Sequence, residues 1–447
     1  MILAVSVPVM VQEGLTNFVN LLDNLMIGRV GTDEMNAVSI VSQLLLVFNL
    51  TVFGAMSGAG IFVSQYHGNG DNDGVRNVFK VKLALGIFLL TGGVLIFSLF
   101  PDKLIGLYLS EGGSTGNIEN TLSLAKDYLG IMLIGLVPFV LTQVCAGTLK
   151  ETKETAVPMR ATVTAVIVNL VFNYLLIFGS LGCPKMGVKG AAVATVISRF
   201  VECAFVLIYS FTHKEKCAYI HSIGKCKITN ALVIEVIKKA LPLMANELFW
   251  SGGMAALNQC YSTRGLAVVA SVNIASVIQS IFSVVFSGMG ISISIVVGNL
   301  LGANDMESAK DTDNKMLFFS VMSGLVMGLI MGVLSPLFPA LYNTTDEVRA
   351  LAAKFIIMQS VMMPVDALCH GEYFTLRSGG KTLITALFDS CYVWLCPVLI
   401  GLILSRATNV GIMTLYIICN GLNIVKAIIG TALVKSNMWM QNIIKEK

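Results

Sequence analysis

The sequence has few charged residues for its length. Asp, Glu, Lys and Arg make up 13% of the 447 residues, whereas 55% are apolar and the mean hydropathy is +0.79. Soluble proteins of ordinary composition are roughly 25% charged, so this chain has too few charges to cover a water-facing surface. The net charge is only +4, which gives no indication of a nucleic-acid partner.

Signals for enzymes and cofactors are also missing. The sequence has no P-loop and no H-E-x-x-H pair, which excludes an ATP-driven pump whose motor is part of this chain. Residues 112–116 fit G-x-S-x-G, but this polar loop lacks the strand–turn–helix context of a nucleophile. The ten cysteines show no paired spacing and are interpreted as structural thiols. We therefore expect neither enzymatic activity nor a cofactor.

Long apolar runs dominate the sequence instead. Each is about 20 residues or more, long enough to cross a bilayer core of roughly 30 Å. They predict an all-α polytopic membrane protein with about twelve transmembrane helices. The first run has no preceding basic segment and no cleavage site, so we expect it to act as its own insertion signal. The runs cover residues 3–28, 37–64, 79–100, 123–147, 158–179, 187–211, 234–260, 267–298, 315–340, 350–374, 383–405 and 409–433.

Loop charges predict the orientation of the chain in the cell membrane. Nineteen of the 30 Lys and Arg residues fall on one side of the predicted spans and nine on the other. Because basic loops stay in the cytoplasm, both termini are expected there. The predicted organisation is an N-lobe (1–211), a basic cytoplasmic linker (212–233) and a C-lobe (234–447).

The two predicted lobes are related by an internal repeat. With an ungapped shift of 234, residues 8–71 align with 242–305, and the matches include polar residues and glycines rather than apolar residues alone. Two such six-helix halves predict a substrate site between them, near the membrane midplane. The matches include Pro8/Pro242, Glu13/Glu247, Asn24/Asn258, Gly68/Gly302 and Asp71/Asp305, and later Thr148/Thr375 at a shift of 227.

Ionisable residues inside the predicted spans are functional candidates, because each costs about 2.5–3.5 kcal/mol to insert. Asp23 lies well inside the first span, and either binds a cation or proton or is a buried carboxyl bonded to neighbouring helices. Asn169 and Asn173 share one helical face. They supply neutral oxygens to a cation, or they hold helices together.

Two further acids each follow a proline. Glu247 follows Pro242, and Asp366 follows Pro364. A helix break at each proline would free backbone carbonyls beside the acid, so both acids are candidate functional carboxylates.

Other ionisable groups in the spans are harder to assign. Glu13 and Asp389 are candidates for a substrate cavity. His370 and Glu372 lie close to the predicted cytoplasmic end of their span and are interpreted as interfacial. Acids outnumber bases at depth, which favours a cavity that attracts cations.

These residues resemble the motifs of the multidrug and toxic compound extrusion family of cation-coupled efflux transporters, over essentially the whole chain. The motifs that carry the resemblance are Asp23-x-x-Met26-x-Gly28, Gln65-x-x-Gly68, Asn169-x-x-x-Asn173, Gly187-x-x-Gly190-Ala191, Pro242 to Glu247, Asp366-Ala367 and Arg377-Ser378-Gly379-Gly380.

The resemblance implies antiport by two rocking lobes: lipophilic, often cationic compounds leave the cell as Na⁺ or H⁺ enters. It also implies a monovalent-cation pocket in the N-lobe and two functional acids in the C-lobe. We expect a monomer in the lipid bilayer that binds small-molecule substrates. The implied coupling residues are Asp23, Asn169, Asn173 and Thr195 in the N-lobe and Glu247 and Asp366 in the C-lobe.

Three alternatives remain at this point. A lipid-linked oligosaccharide flippase of the same superfamily is expected to line its cavity with several basic residues, and only Arg199 and Lys426 lie inside the spans. A major-facilitator carrier is expected to have a basic loop after its second span, where this chain has residues 68–74, rich in Gly, Asn and Asp. A channel or structural membrane protein does not explain acids in both lobes.

Overall fold

The structure, a computed structural model, describes residues 2–111, 118–221 and 229–444. These residues form α-helices with short connections and no β-strand. The G-x-S-x-G stretch and the middle of the predicted linker lie outside the described residues. The helices are α1 (Ile2–Gly28), α2 (Thr32–Gly68), α3 (Asn72–Leu99), α4 (Pro101–Glu111), α5 (Ile118–Glu151), α6 (Ala156–Phe178), α7 (Val188–Thr212), α8 (Ala218–His221), α9 (Asn230–Ser262), α10 (Leu266–Gly302), α11 (Met306–Leu334), α12 (Asp346–Ser378), α13 (Thr382–Ala386), α14 (Leu399–Ala407) and α15 (Ile412–Lys435).

The prediction of an all-α polytopic membrane protein is confirmed. Eleven described helices are long and apolar enough to cross a membrane, with α13 and α14 counted as one span. The twelfth expected span is α9, whose 33 residues are long enough but include Asn246 and Glu247. Large apolar side chains such as Phe88 and Val333 are 72% and 74% exposed, as expected where lipid covers the surface.

The predicted helix breaks at two prolines are wrong. Helix α9 continues through Pro242 and α12 through Pro364. Prolines are tolerated inside membrane helices because neighbouring groups satisfy the freed backbone. The irregular backbone lies between α13 and α14 instead, in two π-helical turns at Leu387–Cys391 and Trp394–Val398.

The chain forms two compact units. The C-terminal unit comprises Met1–Gly14, Ser64–Asp71 and Ile237–Lys447, and the N-terminal unit comprises Leu15–Val63 and Asn72–Val236. Helices α1 and α2 therefore each contribute residues to both units. The lobe boundaries at 211 and 234 stay a prediction.

Within the C-terminal unit, the end of α2 crosses the end of α10 at two glycines. A Cβ added at Gly68 would lie 1.9 Å from the carbonyl oxygen of Asn299, and one added at Gly302 would lie 2.0 Å from that of Gln65. Gly68 and Gly302 are partners in the repeat, as are Gln65 and Asn299. The repeat therefore places two small residues where backbones must approach closely.

The segment after α15 packs against the same helix ends. Trp439 is 1% exposed, and its carbonyl oxygen would lie 1.7 Å from a Cβ on Gly379. The Gln65 amide donates to the Gln441 carbonyl at 3.1 Å and accepts from the Ile443 backbone N–H at 2.9 Å. Asn442 donates to the Gly302 carbonyl at 3.1 Å. The C-terminal segment thus joins α2, α10 and α12 within this unit.

Each unit also contains a buried threonine bonded to a charged group. In the N-terminal unit, Lys82 donates to Thr148 at 3.3 Å and to the Glu151 carboxylate at 2.7 Å. In the C-terminal unit, Thr375 donates to Asp313 Oδ1 at 2.6 Å. Thr148 and Thr375 are partners in the repeat, yet a cation lies beside one and an acid beside the other.

Candidate functional site

The structure brings the four predicted N-lobe residues together. The Nδ2 of Asn173 donates to Asp23 Oδ1 at 2.6 Å and to Asn169 Oδ1 at 3.0 Å. The Nδ2 of Asn169 in turn contacts Thr195 Oγ1 at 3.4 Å. Helices α1, α6 and α7 thus supply one continuous chain of hydrogen bonds, which is called the N-terminal pocket below.

One oxygen in the N-terminal pocket has no hydrogen-bond partner in the part of the chain that the structure describes. Asn169 and Asn173 are 3% and 0% exposed, and Asn173 Oδ1 accepts no hydrogen bond from any described residue. A buried polar atom without a partner costs about 1–3 kcal/mol. The pocket therefore contains an unsatisfied acceptor next to a carboxylate, which is the kind of oxygen that a hard cation binds.

A second network lies in the C-terminal unit around Asn246. Its Nδ2 donates to Asp389 Oδ2 at 3.0 Å and lies 3.4 Å from the Tyr373 hydroxyl. The Tyr373 hydroxyl donates to Glu247 Oε1 at 3.1 Å. The Asn246 Oδ1 accepts the backbone N–H of Ser390, in the π-helical turn, at 3.1 Å.

Helix α15 supplies donors to three acids of the same unit. Lys426 donates to Asp389 Oδ1 at 2.6 Å, and Asn423 donates to Asp366 Oδ1 at 2.9 Å. Thr431 donates to Glu372 Oε1 at 2.7 Å. The Asn246 network and these three donor–acid pairs are together called the C-terminal network.

Two further acids of the C-terminal unit, Glu372 and Asp313, are deeply buried. Glu372 is 1% exposed and Asp313 is 0% exposed, and the second oxygen of each carboxyl has no hydrogen-bond partner among the described residues. The interpretation of Glu372 as interfacial stays a prediction, and its side chain is enclosed by the protein. His370 packs against the rings of Phe286 and Phe374, with both centroid distances at 5.7 Å.

The two substrate-cavity candidates have different surroundings. Asp389 belongs to the C-terminal network and is paired with Lys426. Glu13 is half-buried on the part of α1 that belongs to the C-terminal unit. Their roles in a cavity stay predictions.

Sequence reasoning missed four neutral members of the C-terminal network. Asn246, Tyr373, Asn423 and Thr431 are single polar residues on membrane helices, without a charge to draw attention. The spacing of Asn420, Asn423 and Lys426, three residues apart each time, does indicate one polar side of α15.

Comparison with a protein-family model reproduces the two halves of the internal repeat. The MatE family model matches it twice, over residues 8–175 and 242–404. The two matches begin at Pro8 and Pro242, the first residues of the repeat.

The chain belongs to the MatE family.

Curated MatE relatives cover most of the chain. The probable multidrug resistance protein NorM of Thermotoga maritima is 23% identical over 421 residues, 93% of this chain and 88% of the relative. The protein of the same name from Halalkalibacterium halodurans is 26% identical over 416 residues, 92% and 88% of the two chains. These relatives are membrane transporters, so the expected function is transport rather than catalysis.

Solved structures of MatE proteins share this fold. The Vibrio cholerae MATE transporter VcmN superimposes with a TM-score of 0.86 at 16% identity, over 98% of this chain and 97% of that one. This similarity confirms the multi-pass helical architecture. Small-molecule transport across a membrane is the activity that the family establishes.

Proposed function

We propose that this protein is a secondary active antiporter of the cell membrane, with both termini in the cytoplasm. It exports lipophilic or cationic organic compounds in exchange for Na⁺ or H⁺, as two lobes rock between inward-open and outward-open states. The observation that carries the proposal is the N-terminal pocket, where a membrane-embedded carboxylate lies beside neutral amide oxygens.

The N-terminal pocket has a simple way to accept a metal cation. At present the NH₂ group of Asn173 faces Asp23. Turning this amide by half a rotation would present Asn173 Oδ1, which has no described partner, to an ion held by Asp23. Asn169 Oδ1 and Thr195 Oγ1 add further neutral oxygens. Binding of a proton by Asp23 would instead require only that its carboxylate be reached by water.

Glu247 and Asp366 support a second ion-responsive region in the C-terminal unit. Each accepts a hydrogen bond from a neutral group, Tyr373 or Asn423. Neutral donors stabilise a buried carboxylate less than a cation does. Both acids therefore gain from taking up a cation or a proton at one stage of the cycle.

Coupling then follows from linkage. An ion that binds one arrangement of the lobes more tightly than the other shifts the equilibrium between them. If the ion and the substrate favour opposite arrangements, ion entry drives substrate release. The positions of the acids on several helices, rather than on one, allow small helix movements to change ion affinity.

The oligosaccharide flippase has less support. Such a protein needs cationic side chains to bind pyrophosphate, but Lys426 is paired with Asp389 at 2.6 Å. The Arg199 guanidinium lies 5.1 Å from the centroid of the Phe139 ring and donates to the Gly135 carbonyl. Lys426 and Arg199 are thus each engaged within their own units.

Dye efflux from proteoliposomes with imposed Na⁺ or pH gradients tests the proposal. We expect Asp23→Asn to reduce gradient-driven efflux at least about tenfold, because one lost charge-assisted hydrogen bond corresponds to roughly 1.5–3 kcal/mol. Glu247→Gln and Asp366→Asn should also reduce it.

Asp127→Asn is the matched control, since Asp127 is a surface acid of the N-terminal unit that pairs with Lys189 at 3.0 Å. Its efflux should equal that of the unmodified protein. Full efflux in all three buried-acid variants would contradict the proposed coupling.

A further inference from the structure

Lys426 is a buried lysine in a membrane-spanning helix of the C-terminal unit. Its side chain is 10% exposed, and its ammonium lies 2.6 Å from Asp389 Oδ1 and 5.2 Å from the centroid of the Phe388 ring. A buried ammonium is tolerated only when it is paired. Lys426 and Asp389 therefore form one internal ion pair.

The remaining oxygen of Asp389 is also surrounded by N–H donors. Asp389 Oδ2 accepts from Asn246 Nδ2 at 3.0 Å. Asn246 cannot turn its oxygen towards Asp389 without losing the hydrogen bond that Oδ1 accepts from the Ser390 backbone N–H. That N–H can only donate, so it fixes the orientation of the amide.

These donors stabilise the negative charge of the Asp389 carboxylate and disfavour a metal ion beside it. Na⁺, like other hard cations, is held by oxygen ligands, and both neighbours of the Asp389 carboxylate direct hydrogens at it. The ammonium of Lys426 lies where a bound cation would otherwise neutralise the carboxylate. A free cation can enter only by displacing it.

Other charged groups surround the pair from two helices. Glu247 on α9 and Asp366 and Glu372 on α12 interact electrostatically with Asp389 or Lys426. Cys369, His370 and Tyr373 on α12 are further titratable neighbours. Arg377 on α12 is 3% exposed and interacts electrostatically with Glu247. Lys426 is the cation bonded to Asp389, so its removal would leave the Asp389 carboxylate without that cation.

We propose that Lys426 determines ion specificity in the C-terminal unit: its tethered ammonium fills the cation position at Asp389 and keeps Na⁺ out of it. This inference rests on the proposed antiport function, in which uptake of free cations by membrane acids drives transport.

Binding of ²²Na⁺ to purified protein tests the inference without requiring transport. Asp23→Asn serves as the starting protein, because it removes the contribution of the N-terminal pocket. Adding Lys426→Gln should raise the stoichiometry by one Na⁺ per chain. Adding Asp389→Asn as well should remove that extra site, and Lys426→Arg should leave the starting stoichiometry unchanged.

Two results would overturn the assignment: an unchanged stoichiometry in Lys426→Gln, or an extra site that persists after Asp389→Asn. If Lys426→Gln folds poorly, its thermal unfolding in NaCl and in choline chloride replaces the binding assay. A ligand that binds only the folded state stabilises it. Na⁺ should therefore raise the melting temperature of this variant above that in choline, and an equal melting temperature in the two salts would refute the inference.

The two proposals can fail separately. Loss of Na⁺ exclusion in Lys426→Gln combined with no gradient-driven efflux in any protein would contradict the antiporter and leave the role of Lys426 at Asp389 in place. Efflux that depends on Asp23, combined with unchanged Na⁺ stoichiometry in Lys426→Gln, would do the reverse.

Discussion

The N-terminal pocket and the C-terminal network differ in how the amide of one asparagine is hydrogen-bonded. In the N-terminal pocket, Asn173 directs its NH₂ group at Asp23 while its oxygen has no described partner. In the C-terminal network, Asn246 also directs its NH₂ group at an acid, but its oxygen is bonded to Ser390. Turning the amide in the N-terminal pocket would break the two hydrogen bonds that its NH₂ group donates. Turning the amide of Asn246 would in addition break the hydrogen bond that its oxygen accepts from Ser390.

Under the two proposals, this difference lets one repeated unit bind a cation while the other keeps Na⁺ away from Asp389. Both units keep long helices, glycines at helix ends and acids in the membrane. Among the described residues, no lysine is bonded to the acid of the N-terminal pocket, whereas Lys426 is bonded to Asp389. The polar side chains have diverged, and so has the backbone: Asp389 lies in a π-helical turn, whereas Asn169 and Asn173 lie in the regular helix α6.

The charged partners of the two repeated threonines extend the comparison and give the largest expected effect. Lys82→Met removes the ammonium that both Glu151 oxygens accept from, and breaking a buried ion pair costs about 3–5 kcal/mol. Asp313→Asn keeps an acceptor for Thr375 and removes a buried acid, so its stability should be unchanged or higher. Thermal unfolding of purified protein in detergent measures both.

The pair Lys82→Met with Glu151→Gln is the control, because it removes both charges and should recover most of the lost stability. A single Lys82→Met variant that unfolds at the temperature of the original protein would show that this ion pair contributes little.

The glycine crossing gives an intermediate effect and tests whether the two repeats are equivalent there. Gly68→Ala and Gly302→Ala each place a methyl group about 2 Å from a backbone oxygen of the other helix. Such overpacking costs about 1–3 kcal/mol. We expect similar decreases in melting temperature, since the two positions mirror each other.

Gly130→Ala is the matched control in α5, where an added Cβ meets nothing within 4 Å. Its stability should be unchanged or slightly higher, because alanine favours a helix over glycine. A large decrease in melting temperature for only one of Gly68→Ala and Gly302→Ala would show that the two glycines do not contribute equally to stability.

The smallest effect concerns the first turn of α11. Asp305 Oδ1 accepts the Ser308 backbone N–H at 3.0 Å. Hydrogen bonds with the Ser308 side chain and with this N–H lower the pKa of Asp305 below its ordinary value of 3.8. Asp305→Asn should lower the melting temperature by about 1 °C near neutral pH. Asp71→Asn, at the partner position before α3, shows whether the repeat preserved this role.

The pH dependence has a definite sign. A carboxylate whose pKa falls on folding stabilises the protein above its unfolded pKa and loses that contribution as the pH falls through the folded value. The difference between Asp305→Asn and the original protein should therefore be full at pH 6 and decrease below about pH 4. A difference that stays constant down to pH 3 would contradict this explanation.

Much of the fold followed from local features of the sequence. Apolar length predicted the membrane helices, and the shift of 234 predicted the repeat that the family model also matches. Asn169 and Asn173 were predicted to share a face, and the structure places them in contact with each other and with Asp23 and Thr195. The resemblance, rather than spacing, supplied Thr195.

The rest depended on contacts between distant segments. Asn246 meets Asp389 across 143 residues and Asn423 meets Asp366 across 57. The periodicity of polar residues cannot predict such pairs, because it indicates only which face of a single helix is polar. The enclosure of Glu372 is a further example, because its position near the end of α12 does not indicate that Thr431 and Gly430 of α15 lie against it.

The sequence by itself determined that this chain crosses a membrane many times and does so in two related halves. Hydropathy and segment length act on each helix alone, so no other part of the chain is needed to decide them. Only the tertiary structure decided which acid is bonded to a lysine, which amide is fixed and which oxygen lacks a partner. Those outcomes depend on distances of a few ångströms between helices, which packing alone sets.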